Sequence, residues 1–375
     1  MKTIQLSNLK LIGTTSLMNI MENTLIITLT NNIFIGMIIK LCYDFIKINI
    51  LYNIIFMDYK DKYSKYKKKY LELKINDINY QIGGSKIKTN DNMKLIPKNS
   101  TSKHFIKLDF PDIIVSQCEY NEGPVGLTFI KCNKGMKVHK EIRGGWPGHI
   151  DCLSTNEKQI ITGINIAGGS LLGLESTTGI TAESLKHYKY KHWLGFNGAI
   201  IYSGNLNTNK IYPDKELGRF AFNQSDTKLF SGQVGAGLSA SHGQGWSYKD
   251  FNGIKVLALV VNNAVGVVYK DNKPFHNPFN AKKYFLDDIK IGKNTTIIVV
   301  LTNLDFDNDD LKQMNQQLNV SIGESIRPFN TLTDGDIFYT CSTMTLKKKL
   351  TMHEKIKLFD EFSKVLKDAI LNSCL

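Results

Sequence analysis

The sequence predicts a layered domain of mixed strands and helices, on three observations: short β-branched runs recur after residue 107, glycine clusters interrupt them, and two segments show helical apolar spacing. The runs at 126–132, 160–167, 255–269, 296–302 and 337–341 read as strands, because Val, Ile and Thr suit a pleated, buried surface. A helix is expected over 308–318, with Asn308 as its N-cap and Asp309 and Asp310 in the first turn, where acids meet the positive end of the helix dipole. Phe359, Phe362, Leu366 and Ile370 recur at helical spacing and predict a closing amphipathic helix.

The chain has 375 residues, 42% of them hydrophobic, which is enough for one large domain or two ordinary ones and excludes global disorder. A net charge of +13 would suggest an anionic partner, but the charge is unevenly placed. Residues 1–57 carry four Lys against two acids, and residues 58–103 carry 12 Lys against five, so those segments hold +2 and +7 and leave +4 for the remainder. Nucleic-acid binding by the main domain therefore has no compositional support. The six cysteines form no CxxC pair and no zinc spacing, and HExxH and GxxxxGK[ST] are absent. A structural zinc site and the commonest metalloprotease and NTPase sites are therefore not expected, and scattered thiols fit a reducing, cytoplasmic compartment.

Three segments follow from composition. Residues 1–57 form a hydrophobic extension whose uncharged stretch, 24–39, is about 16 residues long and short of the roughly 20 needed to span a bilayer. Membrane anchoring through 24–39 and an upstream extension of a chain that starts at Met57 are its two alternative readings. Residues 58–106 hold a basic helix and a linker: Tyr59, Tyr63, Tyr66, Tyr70 and Leu73 step by 4, 3, 4 and 3, placing an aromatic stripe on one face. This leader resembles segments that begin many proteins of giant DNA viruses. The third segment, 107–375, is the main domain.

Its glycine clusters do not read as a dinucleotide site, because GQVGAG at 232–237 has the order GxxGxG and not GxGxxG. Taken in order, however, IRGGWPG at 142–148, IAGGSLLGLESTTGI at 166–180, YPDKELGRFA at 212–221, GQVGAG, LALVVNNAVGVV at 257–268, NTTIIVVLTN at 294–303 and IRPFNTLTDGDIF at 326–338 resemble the successive motifs of one family. It is the family of self-processing L-aminopeptidase/D-esterases, which includes β-peptidyl aminopeptidases and nylon-oligomer hydrolases. The resemblance covers about 107–343. It implies an α+β fold, a four-layer αββα sandwich of the N-terminal-nucleophile type, a small peptide, amide or ester substrate, a homo-oligomer, and no metal or organic cofactor.

The resemblance also assigns residues. The family cleaves itself before a Ser or Thr at the NTT motif, which implies scission between Asn294 and Thr295 and makes Thr295 the nucleophile. The chemistry is coherent: a hydroxyl is a weak nucleophile at neutral pH, and a new α-amine on the same residue can take its proton. Asp334 and Asp336 match an acidic pair that orients nucleophile and amine, and two nearby carboxylates push one pKa upward. Asn263 matches an oxyanion-hole amide, with Asn262 as the competing assignment. One position departs from the pattern: Gln244 stands where many relatives carry Lys, with His242 and Lys249 as candidates to replace it. Acyl transfer of the ornithine acetyltransferase type and a degenerate binding domain are the alternatives to hydrolysis.

Overall fold

The computed structural model describes residues 88–151, 160–191, 195–203, 210–276 and 294–375. The apolar stretch 24–39, the Met57 alternative and the aromatic stripe from Tyr59 to Leu73 lie outside the described residues. A compact unit runs from Ile87 to Leu375.

Its strands are β1 (Pro97–Asn99), β2 (Phe105–Lys107), β3 (Ile113–Tyr120), β4 (Gly126–Ile142), β5 (His149–Ile150), β6 (Ile160–Ala167) and β7 (Phe196–Ile200). They continue as β8 (Lys228–Phe230), β9 (Gly243–Phe251), β10 (Ile254–Asn263), β11 (Val267–Lys270), β12 (Lys273–His276), β13 (Thr295–Leu304), β14 (Ile326–Arg327) and β15 (Ile337–Leu346). The helices are α1 (Glu175–His187), α2 (Lys215–Phe222), α3 (Asn308–Ser325) and α4 (Met352–Asn372). β1 falls in the polar run that composition reads as linker.

The long strand β4 organises the sheets. Its first residues, to Cys132, pair with β3 and its last, from Lys137, with β15, while β6 pairs along Leu127 to Lys137 with a register shift between Lys131 and Met136. One half-sheet therefore runs β1-β3-β4-β6-β7-β5 and the other β4-β15-β13-β10-β9. Side chains alternate across each strand, and the burial clusters follow that alternation. Ile130 and Ile164 from the first half-sheet meet Leu257, Val299 and Tyr339 from the second in one cluster. The intervening residues Val256, Val260, Ile298 and Phe338 pack instead against Leu311, Leu318, Phe362 and Leu366 of α3 and α4. Leu127 and Phe129 pack with Ile180 and Leu217 of α1 and α2. Helices, sheet, sheet and helices thus form four layers, the αββα sandwich expected.

Local chemistry explains the helix ends. α3 is capped by Asp307, whose carboxylate accepts from the Asp310 N–H at 2.8 Å, one residue earlier than the Asn308 cap expected from sequence. α4 opens with a capping box in which Thr351 and Glu354 satisfy each other's backbone N–H groups. Among the described residues, no helix is long and apolar enough to cross a membrane.

Candidate active site

Three strand ends bring the expected residues together. β10 and β13 run antiparallel with Asn263 directly opposite Thr295, and β13 and β15 run parallel. Thr295 is therefore the first residue of a fully buried strand, and Asp334 and Asp336 come from the turn that feeds its neighbour. Odd-numbered β13 residues from Ile297 point between the sheets, so Thr295 ends that row at the margin of the inter-sheet core. It is 2% exposed and borders a cleft of about 750 Å³.

The peptide before Thr295 is held on both sides. The Asn294 carbonyl accepts from the Thr295 hydroxyl at 2.6 Å and from the Gly335 N–H at 3.0 Å. Asn294 also bridges to Asp334 in parallel fashion. A hydroxyl at that distance stands beside the carbonyl it would attack, and the Gly335 N–H is aimed at the oxygen that would gain charge.

The acids behind Thr295 are deeply buried. Asp336 accepts from the Thr296 N–H at 2.5 Å and from the Asn330 N–H at 3.3 Å. Burial, and then the charge of Asp334, hold its carboxyl well above the usual range. Asp334 accepts from the Thr331 hydroxyl at 2.6 Å and the Thr331 N–H at 3.1 Å, and the Val265 N–H also bonds to it. Burial raises its pKa and these donors oppose the rise. Burial favours the neutral form of both acids, and the charge of Asp334 adds to the rise at Asp336.

Asn263 has its amide oriented by backbone. Its oxygen accepts from the Ser241 N–H at 2.9 Å and its NH₂ donates to the Tyr202 carbonyl at 3.1 Å. Tyr202 lines the same cleft as Thr295. Asn262 points the other way, its NH₂ donating to the Ser373 hydroxyl at the end of α4 and its oxygen accepting from the Ala264 N–H. The strand's alternation thus separates the two candidate amides, and Asn263 is the one beside Thr295.

Neither candidate replaces the absent lysine. Gln244 is fully buried, accepting from the Thr128 hydroxyl at 2.7 Å and donating to the Phe230 carbonyl at 3.1 Å. His242 is pushed down to about 3 by burial and by His276, so it is neutral at physiological pH. Lys249 pairs with Val256, seven residues along β10 from Asn263, and its ammonium lies toward Glu361 at the surface. The position holds the neutral amide of Gln244 where many relatives carry a cation.

Sequence reasoning missed the walls. The 143–148 loop packs on the acidic turn, with the Trp146 N–H donating to the Asp334 carbonyl at 2.9 Å and the Arg143 N–H to the Asp336 carbonyl at 2.7 Å. A side chain at Gly335 would meet the Trp146 carbonyl at 2.4 Å and the Thr295 hydroxyl at 3.2 Å, and one at Gly144, where φ is +86°, would meet the Asp334 carbonyl at 2.5 Å. The repeated glycines of RGGWPG and DGD were the available signal. They allow two backbones to close around Thr295. Among the described residues no cluster of three His, Cys, Asp or Glu could hold a metal.

These strand ends sit within a recognisable sequence pattern: that of peptidase family S58 matches residues 108–375. The chain belongs to peptidase family S58. The 6-aminohexanoate-oligomer endohydrolase of Agromyces sp. (strain KY5R) is 30% identical over 288 residues, covering 68% of this chain and 79% of that enzyme. The enzyme of the same name from Paenarthrobacter ureafaciens gives the same identity and coverage. In structure, the L-aminopeptidase D-Ala-esterase/amidase of Ochrobactrum anthropi superposes with a TM-score of 0.53 at 15% identity, over 72% of this chain and 81% of that one. A Burkholderia sp. β-aminopeptidase gives 0.52 at 15% identity, over 66% and 78%. At such identities these likenesses speak for the fold, the variant of the Ntn hydrolase fold named for the Ochrobactrum structure. Membership of family S58 makes the chain a hydrolase of the aminopeptidase and amidase class.

Proposed function

We propose that this S58 member is a self-cleaving amidohydrolase whose nucleophile is Thr295. The observation that carries the reading is the Thr295 hydroxyl lying 2.6 Å from the Asn294 carbonyl oxygen, itself bonded to the Gly335 N–H. In the precursor, the Thr295 oxygen attacks the Asn294 carbonyl carbon, the C–N bond breaks, and the amine takes the hydroxyl proton. Water then hydrolyses the resulting ester and releases Asn294 as a carboxylate. The new α-amine serves as base for the same hydroxyl in later turnovers. A substrate amide or ester passes its acyl group to Thr295, Asn263 donates to the developing oxyanion, and water completes hydrolysis. Asp334 and Asp336 orient the hydroxyl and the amine.

The substrates are short peptides or small amides and esters, and the enzyme acts as a homo-oligomer. Four free cysteines among the described residues, three of them buried, support a reducing compartment. Intact-mass analysis under denaturing conditions tests the reading. Wild type gives fragments of roughly 33 and 9 kDa, in proportion to 294 and 81 of the 375 residues in 42.4 kDa, the smaller beginning at Thr295, while Thr295→Ala remains whole. A wild-type chain that stays intact would overturn it.

A further inference from the structure

Two imidazoles meet beside β10, on the side away from Thr295, where β9 pairs with it. His242 stands immediately before β9, its N–H donating to the Asn262 carbonyl at 3.1 Å, and His276 closes β12 opposite Val268 of β11. Their ring centres lie 5.0 Å apart with the planes inclined at 60°. His242 is 3% exposed and His276 is half-buried.

Among the described residues, Nε2 of His242 and Nδ1 of His276 are buried nitrogens without a hydrogen-bond partner, so they do not bond to each other. Burying such an atom costs free energy unless a partner or an ion meets it. The other nitrogen of His242 is accounted for, because Nδ1 lies 3.1 Å from the Ser241 hydroxyl. With the proton assigned to Nδ1, Ser241 accepts it and Nε2 keeps a free lone pair. That is the arrangement of a metal-binding histidine, whose second ring N–H is held by an outer acceptor. Burial and the neighbouring His276 keep His242 neutral, and burial lowers His276 as well. Neutral imidazole is the form that binds metal. On a tetrahedral ion with metal–nitrogen bonds of about 2.0–2.1 Å, two imidazole ring centres stand about 5 Å apart. The observed separation matches that spacing, and the inclination of the planes rules out parallel stacking.

We propose that His242 and His276 bind a divalent transition metal through Nε2 and Nδ1 respectively, with water filling the remaining positions. Nitrogen donors select Zn²⁺, Co²⁺, Ni²⁺ or Cu²⁺ over Mg²⁺ or Ca²⁺. The ion braces the candidate site from behind. It fixes His242, and the adjoining Ser241 holds the Asn263 side-chain oxygen through its N–H at 2.9 Å. The metal takes no part in the chemistry at Thr295, and the assignment stands whichever residue is the nucleophile.

The test uses the full chain without a histidine tag, stripped with EDTA, dialysed, and titrated with Zn²⁺ by calorimetry and with Co²⁺ by visible absorption. Wild type is expected to bind one ion per chain, to show the d–d bands of tetrahedral Co²⁺, and to gain Tm as Zn²⁺ is added in excess. His242→Gln and His276→Gln each lower the affinity by about 100-fold or more, and Ser241→Ala by about tenfold, the range for an outer partner. His149→Gln alters another histidine beside a carboxylate, Asp151 at 3.4 Å, and leaves binding unchanged. Thr295→Ala binds metal as wild type does, so loss of self-cleavage and loss of metal binding are read separately. Circular dichroism in EDTA checks the fold of each variant, and His276→Gln, at a half-buried strand end, carries the test if His242→Gln does not fold. No binding at millimolar Zn²⁺, binding that survives both histidine substitutions, or binding lost in His149→Gln overturns the proposal.

Discussion

Asn263 and Thr295 face each other across the β10–β13 ladder, one at the last residue of its strand and the other at the first. Because directly opposed residues in an antiparallel pair share a face, the amide and the hydroxyl open toward the same side. Asn263→Ala should therefore lower kcat by about 10²- to 10³-fold, the usual cost of an oxyanion donor. Asn262→Ala should cost thermal stability through the lost Ser373 contact and leave kcat within a few-fold. Steady-state kinetics of the two variants side by side check this, and equal effects would contradict the register.

Gly335 joins Thr295 to the acidic turn. Gly335→Ala forces a Cβ to within 2.4 Å of the Trp146 carbonyl and 3.2 Å of the Thr295 hydroxyl, so the turn must move and the Asn294 carbonyl loses its N–H donor. The variant is expected to fold and to self-cleave at least tenfold more slowly, read from the band pattern after timed expression. Processing at the wild-type rate would show that the Gly335 N–H takes no part.

The acidic pair gives stability a defined pH dependence. Both carboxyls are raised in the folded chain by burial, so the folded state keeps protons that the unfolded state has already released. The folded state is therefore favoured most below the ordinary carboxylate value of 3.8, and that contribution declines as pH rises toward the folded values. Urea unfolding of uncleaved Thr295→Ala at several pH values should show this fall. Adding Asp336→Asn should flatten it and raise stability at pH 7.5 relative to pH 4.

Restoring a lysine at position 244 should harm the protein. The Gln244 side chain is enclosed by the Thr128 hydroxyl and the Phe230 carbonyl, with no carboxylate among the partners it touches. A buried unpaired ammonium costs several kcal/mol, so Gln244→Lys is expected to unfold about 3 kcal/mol more easily. Differential scanning calorimetry checks this, and an unchanged Tm together with a gain in kcat would mean that the site accepts the cation.

Much of the scaffold was legible in the chain. β-branched runs located β6, β10, β13 and β15, because a strand buried on both faces must be apolar throughout, and Phe359, Phe362 and Leu366 located α4 through its period. β5, β7 and β9 were not seen. β7 reads Phe-Asn-Gly-Ala-Ile, which carries little propensity and is a strand because β6 pairs with it. The extension of β4 to Ile142 passes through Asn133, Lys134 and Gly135, where a register shift lets one strand serve both half-sheets.

The same division holds at the site. Thr295, Asn263, Asp334 and Asp336 were singled out through the resemblance of their motifs to one family, and the fold brings them to adjoining strand ends. What surrounds them could not be named so. That Asn263 and not Asn262 adjoins Thr295 depends on ladder register, and the neutrality of His242 depends on burial beside His276. The meeting of Trp146 with the acidic turn, and of Lys210 with an apolar cleft, joins residues far apart in sequence. Residue type and period are local properties written along the chain, whereas contact, burial and charge environment arise only when distant segments share one space.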